Sequence, residues 1–433
     1  MESLVPLFAA VPLGAAFLTA IAGSFVRGFG RIFASLVLAF LTALSLLFTF
    51  SGSLPYVYAV GGWRLLEGVP IGIFMVMDGL SLYLLLIINV VGFFSAFYSI
   101  AYIRKFTSEN HYYTLFCLMV AGMNGVVLSG DLFNVYVFLE VAAIASYALV
   151  AFGIEKEELE AAFKYQVLGC ISSLLILLSV GFLYWQTATL NIADAGGIIA
   201  GGRGGEMLIL AQVMMLAGFG LKAAMIPFHA WLPDAHSSAP SPISSMLSGV
   251  LIKAIGAYVI LRLFFNMFAI NPRMSLVVTV IGTVSMVVGV LLAIGQWDIK
   301  RLLAYHSISQ MGYVVLGVGI GMMVLSRGGE RATAGLAIAG GLYHLFNHAV
   351  FKGLLFLNAG SVEYRTGIRN MKKLGGLAGR MPVTTSTSLG ASMSISGIPP
   401  FNGFFSKLII IIAAVRAGYP VLSILAVFVS IIT

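Results

Sequence analysis

The run DLFNVYVFLEVAAIASYALVAF, residues 131–152, is long and apolar enough to cross a bilayer, yet Glu140 sits near its middle. A helix needs about 20 apolar residues to span the hydrocarbon core. Every backbone polar group there must be satisfied within the segment or by protein around it, which leaves helices as the spanning form for runs of this kind. Three more apolar runs each hold a lone lysine: Lys222, Lys253 and Lys407. A charge at mid-membrane costs roughly 2.5–3.5 kcal/mol on insertion scales, so charges kept there mark function. Four of them, of opposite sign, indicate a polar path through the membrane, and an ion-moving chain, most readily a proton-moving one.

Such runs recur along the whole chain. Hydrophobic residues make up 60% of the 433 and charged residues only 9%, against about 25% charged in soluble domains. This excludes a soluble enzyme with an unusually large core and predicts an all-α polytopic membrane protein. About thirteen spans of bilayer length are expected, near 4–24, 32–52, 77–102, 112–129, 131–153, 162–186, 207–226, 241–268, 274–296, 303–325, 333–358, 382–415 and 419–433. The twelfth is too long for one straight helix and reads as two half-helices around Gly397, Pro399, Pro400 and Gly403. Met1 and Glu2 lead directly into the first apolar run, which is read as a signal anchor rather than a cleaved leader. The last run ends at SIIT, so the C-terminus is expected to be incomplete or shortened.

The net charge of +8 is no nucleic-acid signal, because its residues lie in short inter-helix loops. Arg27 with Arg31, Arg104 with Lys105, Lys156, Lys300 with Arg301, and the group Arg365, Arg369, Lys372, Lys373 and Arg380 occupy alternate loops. The intervening loops are poorer, with Arg64, Arg203, Arg273, Arg327 with Arg331, and Arg416. The positive-inside rule then puts the N-terminus outside the cell membrane and the richer loops in the cytoplasm. Cys117 and Cys170 both fall in apolar runs and read as buried packing residues. Two isolated cysteines cannot hold an iron–sulfur cluster, which takes about four thiolates. Redox chemistry therefore belongs to other subunits, and no cofactor or metal is expected in this chain.

Two segments are interrupted at corresponding places. LAGFGLKAAMIPFHAWLPDAHSSAPSP carries Lys222 and then four prolines; SISGIPPFNGFFSKLII carries Pro399 and Pro400 just before Lys407. Proline removes a helical donor and clashes with the preceding turn. Irregular backbone at membrane depth is tolerated only where it is buried or lines a wet cavity. A pair of such breaks points to a transporter built from inverted repeats, with its ion path at the breaks.

GLKAAMIPFHAWLPDAHSSAPSPISSMLSGVLIKAIGAY resembles the signature of the antiporter-like subunits shared by respiratory complex I, membrane-bound hydrogenases and Mrp sodium/proton antiporters. DIKRLLAYHSISQMGY, GLYHLFNHAVFKGLLFLNAGSV and SGIPPFNGFFSK match further blocks, and the resemblance runs from about Asp78 to Lys407. It implies fourteen spans in the family at large and two inverted five-helix repeats. Here these are N-terminal helices over 1–111, a first repeat over 112–268 and a second over 274–433. It also implies that Glu140 is the essential acid, Lys222 the broken-helix lysine, Lys253 the central lysine and Lys407 the terminal ionisable residue. His344 and His348 would then link the halves. His306 stands where serine is common in the family.

A lysine buried in apolar surroundings can exchange protons, and a nearby carboxylate holds its charge. The residues therefore predict a relay from Glu140 and Lys222 through Lys253 toward Lys407. His344 and His348, four apart on one helix face, suit the same path. His229, Asp234 and His236 follow the first break and read as a proton entrance, a metal site or a solvated loop. Lys352 either extends the path or snorkels to the surface. Asp78 either caps a helix or is functional, and the run Glu155, Glu157, Glu158 and Glu160 reads as a solvated loop.

Two assemblies fit. One is a multisubunit energy-converting redox complex of membrane-bound hydrogenase or complex I type, in which this chain translocates protons and catalyses no chemistry itself. The other is an Mrp sodium/proton antiporter. Expected partners are a further antiporter-like subunit, small helical membrane subunits and a peripheral redox module carrying the iron–sulfur clusters. A lone carboxylate is a thin cage for sodium, which favours protons in this chain. An organic-solute transporter would show a midplane pocket rather than a string of charges, and a passive scaffold would not need the buried charges.

Overall fold

The computed structural model describes residues 1–63, 72–106, 108–202 and 205–433, so Arg64 and Arg203 lie outside the described residues. In chain order the helices are α1 (Leu7–Phe25), α2 (Phe29–Ser51), α3 (Gly79–Tyr102), α4 (Glu109–Leu128), α5 (Leu132–Val150), α6 (Lys156–Thr187), α7 (Ile192–Ala200), α8 (Glu206–Lys222), α9 (Trp231–Ser238), α10 (Ser241–Met246), α11 (Tyr258–Asn266), α12 (Pro272–Ile294), α13 (Ile299–Ser326), α14 (Arg331–Thr366), α15 (Leu377–Arg380), α16 (Pro382–Ser396), α17 (Asn402–Arg416) and α18 (Pro420–Ile432). Between α2 and α3 the strands β1 (Tyr56–Ala59) and β2 (Phe74–Met77) pair antiparallel, with Tyr56 opposite Met77.

The protein is a multi-pass membrane protein. Among the described residues, nine helices are long and apolar enough to cross a bilayer. The other four stretches expected to span hold the 17-residue α8, the 36-residue α14, the interrupted pair α16 and α17, and the 13-residue α18, which are not among those nine. The second break falls where the prolines place it. Gly397, at φ 79°, ends α16 in a conformation that L side chains rarely adopt, and α17 restarts at Asn402. The first break ends α8 at Lys222, and Ala224 follows at φ 53°.

Short polar residues start the helices by accepting otherwise orphaned N–H groups. Asp131 caps α5 through Asn134 N at 2.9 Å, and Asp298 caps α13 through Lys300 N at 2.9 Å and Arg301 N at 3.0 Å. The acidic run is not a loop: Glu155 and Glu158 form a capping box at the first turn of α6, and Glu160 pairs with Lys164 at 2.7 Å. Cys170 lies on an exposed face of α6 rather than in a packed interior, while Cys117 is buried.

The chain forms two compact units, Met1–Lys222 with Val250–Ala269, and Ala223–Gly249 with Ile270–Thr433. In the first, α4 is almost wholly buried and packs on α1, α2, α3 and α5, while α6 packs on α8. In the second, α13 packs on α12 and α14, and α14 in turn on α10, α16 and α17. Glycine sets the α12–α13 distance. A Cβ on Gly282 would stand 2.6 Å from the Leu316 nitrogen, and one on Gly289 would stand 2.6 Å from the Ser309 nitrogen, so the two backbones touch.

One local device occurs in both units. Leu132 N donates to Leu190 O and Ile192 N to Gly130 O, joining the cap of α5 to that of α7. Likewise Ile299 N donates to Arg369 O and Met371 N to Trp297 O, joining the cap of α13 to the turn after α14.

Candidate functional site

In the first unit, the Asp131 cap starts α5, which carries Glu140 and, two turns on, Tyr147. α6 brings Gly169 and Ser173, and α8 ends on Lys222. The Lys222 ammonium is buried, at 2% side-chain exposure, and Glu140 is 25% exposed. Their nearest atoms, Nζ and Oε1, are 3.8 Å apart, beyond direct hydrogen-bond reach. Ser173 bridges them: Lys222 Nζ donates to its Oγ at 3.1 Å, and its hydroxyl donates to Glu140 Oε1. Lys222 also donates to Gly169 O and to the Tyr147 hydroxyl, each at 3.3 Å. Gly169 is required here, because a Cβ at that position would overlap the Tyr147 hydroxyl.

Lys253 is fully buried. It opens the second of two π-helical segments, Leu247–Leu251 and Lys253–Ala257, a form concentrated at functional sites. Further along the same helical run, Arg262 grips Asp78 with both nitrogens at 2.6 and 2.8 Å. Asp78 also caps α3 through Ser81 N at 2.9 Å, as the capping reading expects. Asp78 stands just ahead of its span. Burial works to raise its pKa, but the Arg262 hydrogen bonds and charge with the Ser81 N–H bring it down to about 2.

In the second unit α14 carries His344, His348 and Lys352, all buried. His344 Nε2 lies 3.1 Å from Gln310 Oε1, and Nδ1 lies 2.9 Å from Ser406 Oγ. An amide oxygen only accepts, so Nε2 carries a proton in this arrangement. Nδ1 then accepts from the Ser406 hydroxyl when the ring is neutral. When the ring is charged it donates, with Ser406 turned to Gly403 O, which is 3.1 Å away. Both protonation states keep their contacts, as a relay group needs. His348 packs on Phe351 with ring centroids 5.6 Å apart. Lys352 Nζ donates to Leu303 O at 2.6 Å, which is buried binding rather than snorkelling.

Lys407 Nζ donates to Ile395 O at 2.7 Å and to Ser430 Oγ at 3.2 Å, and it lies over the Tyr313 ring at 5.0 Å. A cavity of about 520 Å³ opens beside it, lined also by Ser396, Gly397, Pro399 and Phe404.

His229, Asp234 and His236 are not gathered into one cluster. Asp234 pairs with Arg301 at 2.8 Å, His236 stacks on Phe356 with centroids 4.8 Å apart, and His229 stands in the stretch between α8 and α9. Among the described residues no group of three His, Cys, Asp or Glu side chains forms a metal cage.

A family model described as "NADH:quinone oxidoreductase/Mrp antiporter, TM" matches residues 129–433. The chain belongs to this family. Its similarity extends to NADH-quinone oxidoreductase subunit N of Desulforudis audaxviator, 36% identical over 420 residues, 96% of this chain and 80% of that protein. Among solved structures, a chain of the Mrp complex from Dietzia sp. superimposes with a TM-score of 0.90 at 31% identity, covering all of this chain and 78% of the other. A chain of the membrane-bound sulfane sulfur reductase, an archaeal respiratory membrane complex, does so at 0.89 and 29%, covering all of this chain and 86% of the other.

The family match takes in every candidate path residue from Glu140 to Lys407. Sequence reasoning missed four sets of polar contacts. Ser173, Gly169 and Tyr147 surround Lys222. Gln310 with Ser406 brackets His344. Ser307 donates to Leu303 O at 2.9 Å and meets Ser248 at 2.6 Å. The fourth is Lys300, read as a loop residue. It lies in the first turn of α13, 2% exposed, with Nζ 3.2 Å from Glu363 and 2.9 Å from Ala239 O. Serine and glycine are common in membrane helices, so only their spacing, Gly169 to Ser173 and Ser307 to Gln310, gave any signal.

Proposed function

We propose that this chain translocates protons as an antiporter-like membrane subunit of a multisubunit energy-converting redox complex, with the electron chemistry and its iron–sulfur clusters in other subunits. The observation that carries the reading is the Glu140–Ser173–Lys222 arrangement: a buried ammonium tied to a partly exposed carboxylate through one hydroxyl. Charge pairs of this kind inside membranes mark proton relays. A shift of α5 against α6 or α8 breaks the bridge and releases Lys222 from its counter-charge. Lys222 then gives its proton to Lys253, and in the second unit His344, His348 and Lys407 continue the transfer. Ser406 lets His344 take and give a proton without leaving a buried nitrogen unpaired.

In this reading the protein sits in the cell membrane with its N-terminus outside. Its partners are a second antiporter-like subunit, small helical membrane subunits and a peripheral redox module. The specific support for the redox assembly is the likeness to subunit N of a quinone oxidoreductase across nearly the whole chain. The likeness to the Mrp complex favours a second reading, a subunit of a sodium/proton antiporter. The site chemistry is the same in both.

The test is to purify the native assembly in mild detergent, identify its subunits by mass spectrometry and record its visible spectrum. Iron–sulfur absorption with redox partners supports the first reading, and a colourless set of small membrane subunits supports the second. Glu140→Gln or Lys222→Ala should abolish proton transfer in vesicles while the assembly still forms. Retained transport in either variant overturns the proton path.

A further inference from the structure

α13 and α14 are consecutive packed helices, and three polar contacts cross between them. Lys300 meets Glu363 at 3.2 Å, Lys352 meets the Leu303 carbonyl at 2.6 Å, and His344 meets Gln310 at 3.1 Å. At 3.6 residues per turn, His344, His348, Lys352 and Glu363 fall within about 100° of one another around α14, and Lys300, Leu303, Ser307 and Gln310 fall within about 80° around α13. The polar groups thus share one face of each helix over about 28 Å of α14, from the buried His344 to Glu363 in the helix's last turn, with the apolar Leu355 and Ala359, clustered with Leu303, between Lys352 and Glu363.

Among the ion pairs of the described residues at that end, the one of Glu363 has a buried ammonium as its partner. Asp298 is committed to capping α13 and to Arg369 at 3.3 Å; Asp234 is committed to Arg301 at 2.8 Å. Glu363 faces the buried Lys300 at 3.2 Å, with Arg369 at 4.0 Å. Its side chain is 21% exposed and that of Lys300 2%, so one member of the pair meets water and the other does not. The helix dipoles oppose both charges. Glu363 stands at the C-terminal end of α14 and Lys300 at the N-terminal end of α13, each the disfavoured end for its sign. A buried ion pair is in any case weak support for stability.

We infer that Glu363 is the proton-loading carboxylate of the second unit, with Lys300 as the counter-charge that holds it ready. This rests on the proton-path reading above. A proton from bulk water binds Glu363 and makes it a neutral acid. Lys300 stays charged, keeping the Ala239 carbonyl as partner. Glu363 then gives the proton to a deprotonated Lys352 amine about 16 Å along α14, through water that enters past Leu355 and Ala359. That restores the carboxylate and its pair with Lys300 and leaves Lys352 as an ammonium on Leu303 O. From there His348 and His344 lie along the same face.

The test uses vesicles containing the complete assembly, energised by its own electron donor or sodium gradient, with proton movement followed by a pH-sensitive dye. Assembly is checked on native gels. Glu363→Gln should lower the rate by about a hundredfold, the scale of losing a positioned proton donor, and Glu363→Asp should keep most of it. The double variant Glu363→Gln/Lys300→Met removes both charges and so relieves any unpaired lysine. It should stay as inactive as Glu363→Gln. Recovery in the double variant, normal rates in Glu363→Gln, or loss of assembly in both makes the pair structural and overturns the inference. Glu140→Gln is run beside them. If it is inactive while Glu363→Gln is normal, only this inference fails; if Glu140→Gln is normal, the path reading itself fails.

Discussion

Ser173→Ala tests whether the geometry around Lys222 has been read correctly. At 3.8 Å and an effective dielectric of about 20, the Glu140–Lys222 attraction is about 4 kcal/mol. Losing all of it, as in Glu140→Gln, corresponds to about a thousandfold in a rate that depends on it. Ser173→Ala leaves both charges in place and removes only the bridge. A hydrogen bond to a charged group contributes about 1.5–3 kcal/mol. On the Glu140 side, the carboxylate keeps its attraction to Lys222 at 3.8 Å. On the Lys222 side, Gly169 O and the Tyr147 hydroxyl remain at 3.3 Å.

The net loss is therefore near the lower figure, about 1.5 kcal/mol or roughly tenfold in rate. The assay is initial proton uptake into vesicles of the assembled complex, normalised to the amount of this subunit in the membrane. The expected order is wild type, then Ser173→Ala, then Glu140→Gln, with the serine variant well separated from both. A serine variant as inactive as Glu140→Gln puts the hydroxyl itself on the proton's route and refutes the bridging account. One indistinguishable from wild type shows that the bridge does not couple the two charges.

Gly169→Ala forces the Tyr147 ring, whose Cζ lies 2.6 Å from the new Cβ position, away from Lys222. Overpacking of this kind costs about 1–3 kcal/mol. The variant should unfold at lower temperature in detergent and lose transport, and adding Tyr147→Leu should restore stability without restoring the rate. Asp78 titrates near pH 2 when folded, against 3.8 ordinarily. A depressed carboxylate pKa contributes stability that is full above the ordinary value and is lost as the pH falls through the folded one. Asp78→Asn should thus cost about 1–2 kcal/mol at neutral pH, after discounting for partial exposure. Thermal unfolding curves of variant and wild type should converge as the pH approaches 2; a constant gap would show that the Arg262 contact is not electrostatic.

Much of this architecture is legible along the chain because hydropathy is a one-dimensional property. A bilayer demands a fixed length of apolar residues and satisfied backbone groups, so the spans, the interrupted segments at Pro227 and Pro399, and the misplaced charges Glu140, Lys222, Lys253 and Lys407 stand out without any knowledge of neighbours. The errors fall where a residue's meaning depends on what packs beside it. The acidic run after α5 proved to be the capped first turn of α6, because Glu155 and Glu158 satisfy each other's backbone across one turn. Cys170 is apolar in context yet faces outward, because the inner face of α6 is taken by Gly169 and Ser173.

What the sequence alone determined is the class of protein and the charges it keeps against the cost of burying them. Only the tertiary structure decided which partners those charges have. Ser173 could have been one more helix-packing serine, and Lys300 one more positive-inside loop residue. Hydrogen bonds and ion pairs act over a few ångströms between side chains remote in sequence. The packing of α6 against α8, and of α13 against α14, turned an ordinary serine into the link between Glu140 and Lys222 and a loop-like lysine into the partner of Glu363.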